Sequence, residues 1–231
     1  LPELSRAIIF ANGPVSDVET SRAVLRPGDL LIAADGGARH CQALGLAPHV
    51  LLGDLDSLSE ADALALQAVG VEIVRHPARK DFTDLELALR YAVSRGAREI
   101  LVWGALGARW DQTVANLLLP AIPELRHAHL HLLDGLQEIA LLRGGQSLHA
   151  PGSPGDTLSL IPLGGDARVA AARGLEYPLE NEILRFGATR GISNRLLESS
   201  ACIELETGLL LCIIIRQQSP GINLMEIDHE R

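Results

Sequence analysis

The feature that most constrains this chain is a rhythm in its first part. Short apolar runs, each closed by a glycine or aspartate motif, alternate with Ala- and Leu-rich stretches of helical spacing. Ala7 to Phe10 reads as a strand ending at Asn12-Gly13-Pro14, and Leu30 to Ala34 as a second ending at Asp35-Gly36-Gly37. Val50 to Leu52 is a third, ending at Gly53-Asp54. Val71 to Val74 leads through Pro77 to Lys80-Asp81, and Ile100 to Trp103 ends at Gly104. Glu60 to Val69 and Leu85 to Ser94 read as helices between them. Such an order belongs to an α/β domain, a doubly wound, mainly parallel sheet with helices on both faces. There the strand-to-helix junctions gather along the carboxyl edge of the sheet, where these folds bind ligands. Motifs far apart in sequence are therefore expected in one cleft.

The pattern changes after about Leu133. Ile139 to Leu142, Thr157 to Ile161, Ala201 to Leu205 and Leu209 to Ile215 read as strands without intervening helices. Gly144-Gly145, Pro151 to Gly155 and Gly164-Gly165 punctuate them as turns, and Glu206-Thr207-Gly208 has hairpin spacing. The expectation is an α/β domain over residues 1–134 and an all-β sandwich domain over 135–231, with a loose polar tail after Gln217.

Charge narrows the partners. The formal net charge is -9, with no basic stripe to meet a nucleic acid or an anionic membrane. A small anionic substrate remains compatible, because a divalent cation reverses the local sign of an acidic site. No run approaches the length of a membrane span, and Cys41, Cys202 and Cys212 lack metal-ligand spacing. The chain reads as a soluble cytoplasmic protein whose thiols are reduced and packed in its cores.

Asp54-Leu55-Asp56 places two carboxylates just past an apolar strand, within reach of one hard cation. Mg²⁺ takes oxygen ligands and completes its octahedron with waters and substrate phosphates, so one or two protein carboxylates suffice. A solvated turn capping the next helix is the competing reading. Lys80-Asp81-Phe82-Thr83-Asp84 opens a helix, with Asp81 a candidate N-cap and Asp84 inside the first turn. In Gly104-Ala105-Leu106-Gly107-Ala108-Arg109-Trp110-Asp111 the glycines allow close approach to phosphate, and Arg109 offers a planar fork. Its competing reading is an Arg109–Asp111 surface pair of little energetic weight. His127, His129 and His131 alternate along an apparent strand and read as a polar strand face rather than a metal site.

Taken together and in order, these motifs have a precedent. Asp35-Gly36-Gly37, Gly53-Asp54-x-Asp56-Ser57, Lys80-Asp81-x-Thr83-Asp84 and Gly107-x-Arg109-x-Asp111, followed by Gly191-Ile192-Ser193-Asn194, strongly resemble the thiamine pyrophosphokinase family. The resemblance implies an N-terminal α/β domain, a C-terminal β-sandwich and a homodimer with thiamine held where subunits meet. It implies transfer of the pyrophosphoryl group of ATP to the hydroxyl of thiamine, giving thiamine diphosphate and AMP.

Carried over by motif, Asp54, Asp56 and Asp84 would hold Mg²⁺, and Asp35 would line the same acidic centre beside Gly36 and Gly37. Asp81 would support the centre or position the thiamine hydroxyl. Lys80, Arg109 and Asp111 would contact ATP, and Ser193 and Asn194 would hold thiamine. The general base stays open between Asp81 and Asp111. Two departures from the family pattern are Ala108, where a third glycine is common, and Arg195-Leu196-Leu197, where an aromatic residue often follows Ser-Asn. The second keeps one rival in view, a pyrophosphokinase for another acceptor such as a hydroxymethyl-pterin; the non-enzymatic rival is a nucleotide or thiamine sensor without catalysis.

Overall fold

The computed structural model describes residues 5–56, 59–77, 79, 81–107, 109–218 and 223–229, without the side chains of residues 18 and 19. The chain divides into two compact units, Leu1–Gly135 and Leu136–Arg231.

The first unit runs β1 (Arg6–Phe10), α1 (Val18–Val24), β2 (Leu30–Ala34), α2 (Ala38–Ala43), β3 (Val50–Gly53) and α3 (Glu60–Ala68). It continues through β4 (Glu72–Arg75), α4 (Asp84–Ser94), β5 (Glu99–Trp103), α5 (Trp110–Leu118) and β6 (His129–Asp134). The strands pair in parallel in the order β6-β5-β1-β2-β3-β4. Every residue of β1 and β2 is buried, which is why these strands read as continuous apolar runs rather than alternating ones. The exception, Arg6, is neutralised where it stands. Its Nη1 donates to both oxygens of Asp29 at 3.1 Å, and its Nε to Glu99 at 3.2 Å.

Helix α4 buries Leu85, Ala88, Leu89 and Ala92, the i, i+3, i+4, i+7 face that its spacing predicts. Its N-cap is Thr83, whose hydroxyl accepts from the Glu86 N–H at 3.2 Å. The cap expected at Asp81 is thus corrected: Thr83 takes that position, and exposed Asp81 lies before the helix. From β1 the chain steps outward through β2, β3 and β4, then returns to place β5 on the other side of β1. The winding reverses at β1 and β5, and at such a point the carboxyl ends of the strands leave a crevice.

The second unit contains β7 (Gln137–Arg143), β8 (Gln146–Pro151), β9 (Thr157–Pro162), β10 (Ala167–Arg173) and β11 (Leu179–Leu184). β12 (Asn194–Arg195), β13 (Ser200–Thr207), β14 (Leu209–Ile215) and β15 (Glu226–His229) complete it. Its strands form two antiparallel layers, β12-β9-β14-β7 and β11-β10-β13-β8-β15. Leu142, Leu160 and Ile214 of one layer share a core with Leu148, Val169 and Ile203 of the other, as in a sandwich.

Three expectations are corrected here. Glu206-Thr207-Gly208 is no hairpin, because β13 and β14 belong to different layers and pair with other strands. Gly208 carries the chain between layers with φ +96°, where an added Cβ would lie 2.7 Å from the Asp166 carbonyl oxygen. The segment after Gln217 is not simply a loose tail, since β15 pairs with β8 and Met225 is buried. Cys41 and Cys212 are buried as expected, but Cys202 is exposed.

Candidate active site

A cleft of about 360 Å³ opens at the carboxyl ends of β1, β2, β3 and β5. Three of its lining residues are acidic: Asp35 after β2, Asp54 after β3, and Asp84 at the first turn of α4. They come from separate junctions of the winding, as the sheet-edge argument requires. Gly53 shows how closely they gather. A Cβ there would stand 3.2 Å from the Asp35 Cα and 3.3 Å from an Asp84 carboxylate oxygen.

The backbone is bent to present these groups. Asp35 has φ +49° and Leu55 has φ +52°, both in the left-handed region. Aspartate tolerates this conformation, whereas for leucine it costs roughly 1–2 kcal/mol. Leu55 is only 3% exposed, and burying a leucine side chain contributes about 1.5–3 kcal/mol, enough to offset the strain. The buried Leu55 side chain anchors the turn between its two aspartates. Asp54 lines the cleft, while Asp56 is exposed, is not part of the lining, and donates its N–H to Asp54 Oδ1 at 3.4 Å. Within the lining, Asp54 is therefore grouped with Asp35 and Asp84.

The opposite wall is the loop after β5. Gly13 donates its N–H to the Gly104 carbonyl at 2.8 Å, drawing the β1 and β5 loops together. Gly104 has φ +70°, and a Cβ there would lie 2.6 Å from the Ala11 carbonyl oxygen. Gly107 and Arg109 follow along the cleft. Arg109 grips Asp111 through Nη2 at 2.5 Å and Nε at 3.1 Å, and both side chains are exposed. That bond holds the Asp111 carboxyl below its ordinary range and raises the Arg109 guanidinium. Lys80, Ser57 and Ala108 lie outside the described residues.

Gly36 and Gly37 sit in a 3₁₀ turn against the β1 end. Added Cβ atoms would fall 2.2 Å from Asn12 Oδ1 and 1.9 Å from the Phe10 carbonyl oxygen, respectively. These glycines serve close packing of the loops that carry Asn12 and Asp35. In the second unit, Ser193 is exposed with φ +59°. Asn194 is buried and hydrogen-bonded within the unit: its Oδ1 accepts from the Tyr177 and Arg195 N–H groups, and its Nδ2 donates to the Tyr177 carbonyl.

Asn12, Thr83, Gln112 and Asn116 also line the cleft, and sequence reasoning gave them no role in the site. Asn12 obeys the same strand-then-polar-loop rule as Asp35 and was legible on that ground. Asn116 sits within a helix, where an asparagine carries no local signal.

A hard divalent cation suits this donor set, which offers carboxylate oxygens from Asp35, Asp54 and Asp84. Among the described residues no three His, Cys, Asp or Glu side chains are placed to hold a metal by themselves. Such a set fits only an ion that draws the rest of its shell from water or a bound ligand.

Comparison with known proteins identifies this architecture. A family model described as "Thiamin pyrophosphokinase, catalytic domain" matches residues 22–129, and "Thiamin pyrophosphokinase, vitamin B1 binding domain" matches residues 146–210. The chain is 27% identical over 205 residues to thiamine pyrophosphokinase of Bacillus subtilis (strain 168), covering 89% of this chain and 96% of that one. The crystal structure of thiamine pyrophosphokinase from Bacillus subtilis matches with a TM-score of 0.80 at 25% identity, over 93% of this chain and 100% of that chain. That of a thiamin pyrophosphokinase family protein from Enterococcus faecalis matches with a TM-score of 0.78 at 27% identity, over 93% of this chain and 100% of that chain. With its α/β and β units matched in order by the two domain models of one family, the chain belongs to the thiamin pyrophosphokinases.

Proposed function

We propose that the chain is a thiamine diphosphokinase, moving the pyrophosphoryl group of ATP to the hydroxyl of thiamine and releasing AMP. The observation that carries this reading is the meeting of Asp35, Asp54 and Asp84 at the reversal of the winding, facing a glycine-rich loop with Arg109. The thiamine hydroxyl oxygen bonds to the β-phosphorus, its proton passes to a carboxylate, Asp81 or Asp111, or through it to solvent, and the bond from that phosphorus to the AMP oxygen breaks. Such a transfer depends on positioning and charge neutralisation more than on covalent catalysis.

Asp54 and Asp84, with Asp35 beside them, would hold Mg²⁺, which when bound neutralises charge on the phosphates. Asp56 would act through the turn it shares with Asp54. Arg109 would turn from Asp111 toward phosphate oxygens, a small change for an exposed pair. Lys80 would join the phosphate contacts. A loose transition state asks little of a base. The lowered pKa of Asp111, held down by its bond to Arg109, makes its carboxylate a weaker base than an ordinary aspartate.

The β unit, with Ser193 and Asn194, would contribute to thiamine binding in a homodimer. Exposed Tyr177, Phe186 and Leu197 are the kind of surface that a subunit interface covers. A cytoplasmic setting accords with three free cysteines, and among the described residues no helix is long and apolar enough to cross a membrane.

The test is to incubate the protein with ATP, Mg²⁺ and thiamine and to quantify AMP and thiamine diphosphate. Equal amounts of the two products are expected. Saturable binding without AMP release would replace the enzyme by a sensor, and preference for a hydroxymethyl-pterin would replace the acceptor.

A further inference from the structure

Asn116 lies on the buried face of α5, 5% exposed, and lines the cleft. Its Nδ2 donates to the Ala105 carbonyl at 2.7 Å, which braces the loop after β5 and orients the amide. The other end, Oδ1, is the buried side-chain oxygen or nitrogen that has no hydrogen-bond partner among the described residues.

A neighbour shows what bracing alone requires. Thr113, on the same buried face, reaches the Gly107 and Arg109 carbonyl oxygens at 3.2 and 3.0 Å with a single hydroxyl. Holding Ala105 likewise needs only a donor, and the asparagine brings a desolvated acceptor in addition. Folded proteins pair nearly all such groups, because an orphan loses its bonds to water and gains nothing in return. The position of Asn116 in the cleft wall says where a partner would come from.

We propose that Asn116 Oδ1 is completed by substrate, accepting a hydrogen bond from an uncharged N–H or O–H donor, and that it thereby selects molecules carrying that donor. The inference rests on the reading of the cleft as the ATP and thiamine site. A neutral amide oxygen suits a neutral donor, whereas a cation would be drawn to Asp35, Asp54 and Asp84. The substrates offer such donors as the 6-amino group and ribose hydroxyls of ATP and the 4′-amino group of thiamine. A site built around one hydrogen bond rejects an analogue that lacks it, because its own polar group is then left unpaired.

The experiment measures kcat/KM for ATP, purine riboside triphosphate, 2′-deoxy-ATP and 3′-deoxy-ATP, and for thiamine against its 4′-desamino analogue. In the wild type one analogue is expected to lose about tenfold or more, the size of one hydrogen bond in a desolvated site. In Asn116→Ala the penalty for that analogue should shrink to about twofold while the other ratios stay as they were. If Asn116→Ala does not fold, Asn116→Ser is read in the same way, and the wild-type series stands by itself. An active wild type indifferent to every analogue would mean that water completes Oδ1, and the inference fails alone. It fails equally if the analogue penalty persists unchanged in the variant. A wild type inert toward ATP and thiamine removes the reading of the cleft, and the inference with it.

Discussion

Asn12 Nδ2 donates to Asp35 Oδ2 at 3.2 Å, tying the end of β1 to the end of β2 across the cleft floor. The amide has little choice of orientation. Arg39 of α2 donates to Asn12 Oδ1 at 2.7 Å and also grips the Asn12 carbonyl, leaving the nitrogen to face the carboxylate. Arg39 is thus a positioning residue for a carboxylate it does not touch.

Loss of that support should weaken catalysis without unfolding the chain. Arg39→Ala is expected to lower kcat/KM about tenfold, the usual scale for partners that orient a ligand-holding carboxylate. Asn12→Asp should do more harm, because it sets a second negative charge against Asp35. Steady-state kinetics with thermal melts on the same samples separate the two effects, and unchanged kinetics in both variants would remove the positioning role.

The carboxylates of the cleft should not be equivalent to those outside it. Asp54→Asn and Asp84→Asn are each expected to lower kcat by about a hundredfold or more, while the melting temperature stays within a few degrees. Asp56→Asn, at an exposed residue outside the lining, should cost less than about tenfold. Equal losses at Asp54 and Asp56 would favour the paired-ligand reading of Asp54-Leu55-Asp56.

His40 provides a pH test. Its Nε2–H donates to the Gly13 carbonyl at 2.8 Å, and burial lowers its pKa below the ordinary 6.5. The unfolded chain therefore takes up the proton first as pH falls, so stability from neutral His40 is complete above about 6.5 and declines below it. The melting temperature of the wild type should drop more between pH 7.5 and 5.5 than that of His40→Gln. Parallel curves would show that His40 does not couple to folding.

In the β unit, Glu138 is fully buried. It accepts from Arg216 Nη2 at 2.7 Å and from the Met225 N–H at 2.8 Å. Arg216→Met would strand a buried charge and is expected to cost about 3–5 kcal/mol in denaturant unfolding. A variant in which Glu138→Leu is added should recover part of that loss. No loss in the single variant would mean that the pair is solvated.

Thiol chemistry separates the cysteines. Burial pushes the Cys41 and Cys212 thiols up to about 12, so both stay protonated at pH 8. Native protein treated with iodoacetamide should gain one adduct, at exposed Cys202, and denatured protein three. Intact mass and peptide mapping read the outcome, and native labelling at Cys41 would contradict its burial.

Much of the α/β unit was legible because two periodicities differ. Buried strands such as Ile8-Ile9-Phe10 are unbroken apolar runs, and α4 repeats its apolar face at helical spacing. Where local signals compete, the sequence misleads. Asp81 and Thr83 are both good caps, and only the seating of α4 on the sheet decides that Thr83 takes the place. Glu206-Thr207-Gly208 has hairpin chemistry, yet the choice between pairing β13 with β14 and sending them to separate layers rests on the sandwich core.

By itself the sequence determined the alternation of strands and helices in the first unit, and hence that polar loops following separate strands would meet at one sheet edge. It also supplied the carboxylates, because strand-end aspartates are visible as residue types. Tertiary structure decided which of them face each other. A leucine with φ +52° is locally unfavourable, so nothing in Asp54-Leu55-Asp56 announces that Leu55 will be buried and that only Asp54 will line the cleft. The unpaired Asn116 Oδ1 was equally hidden, because whether a buried polar atom finds a partner depends on everything packed around it.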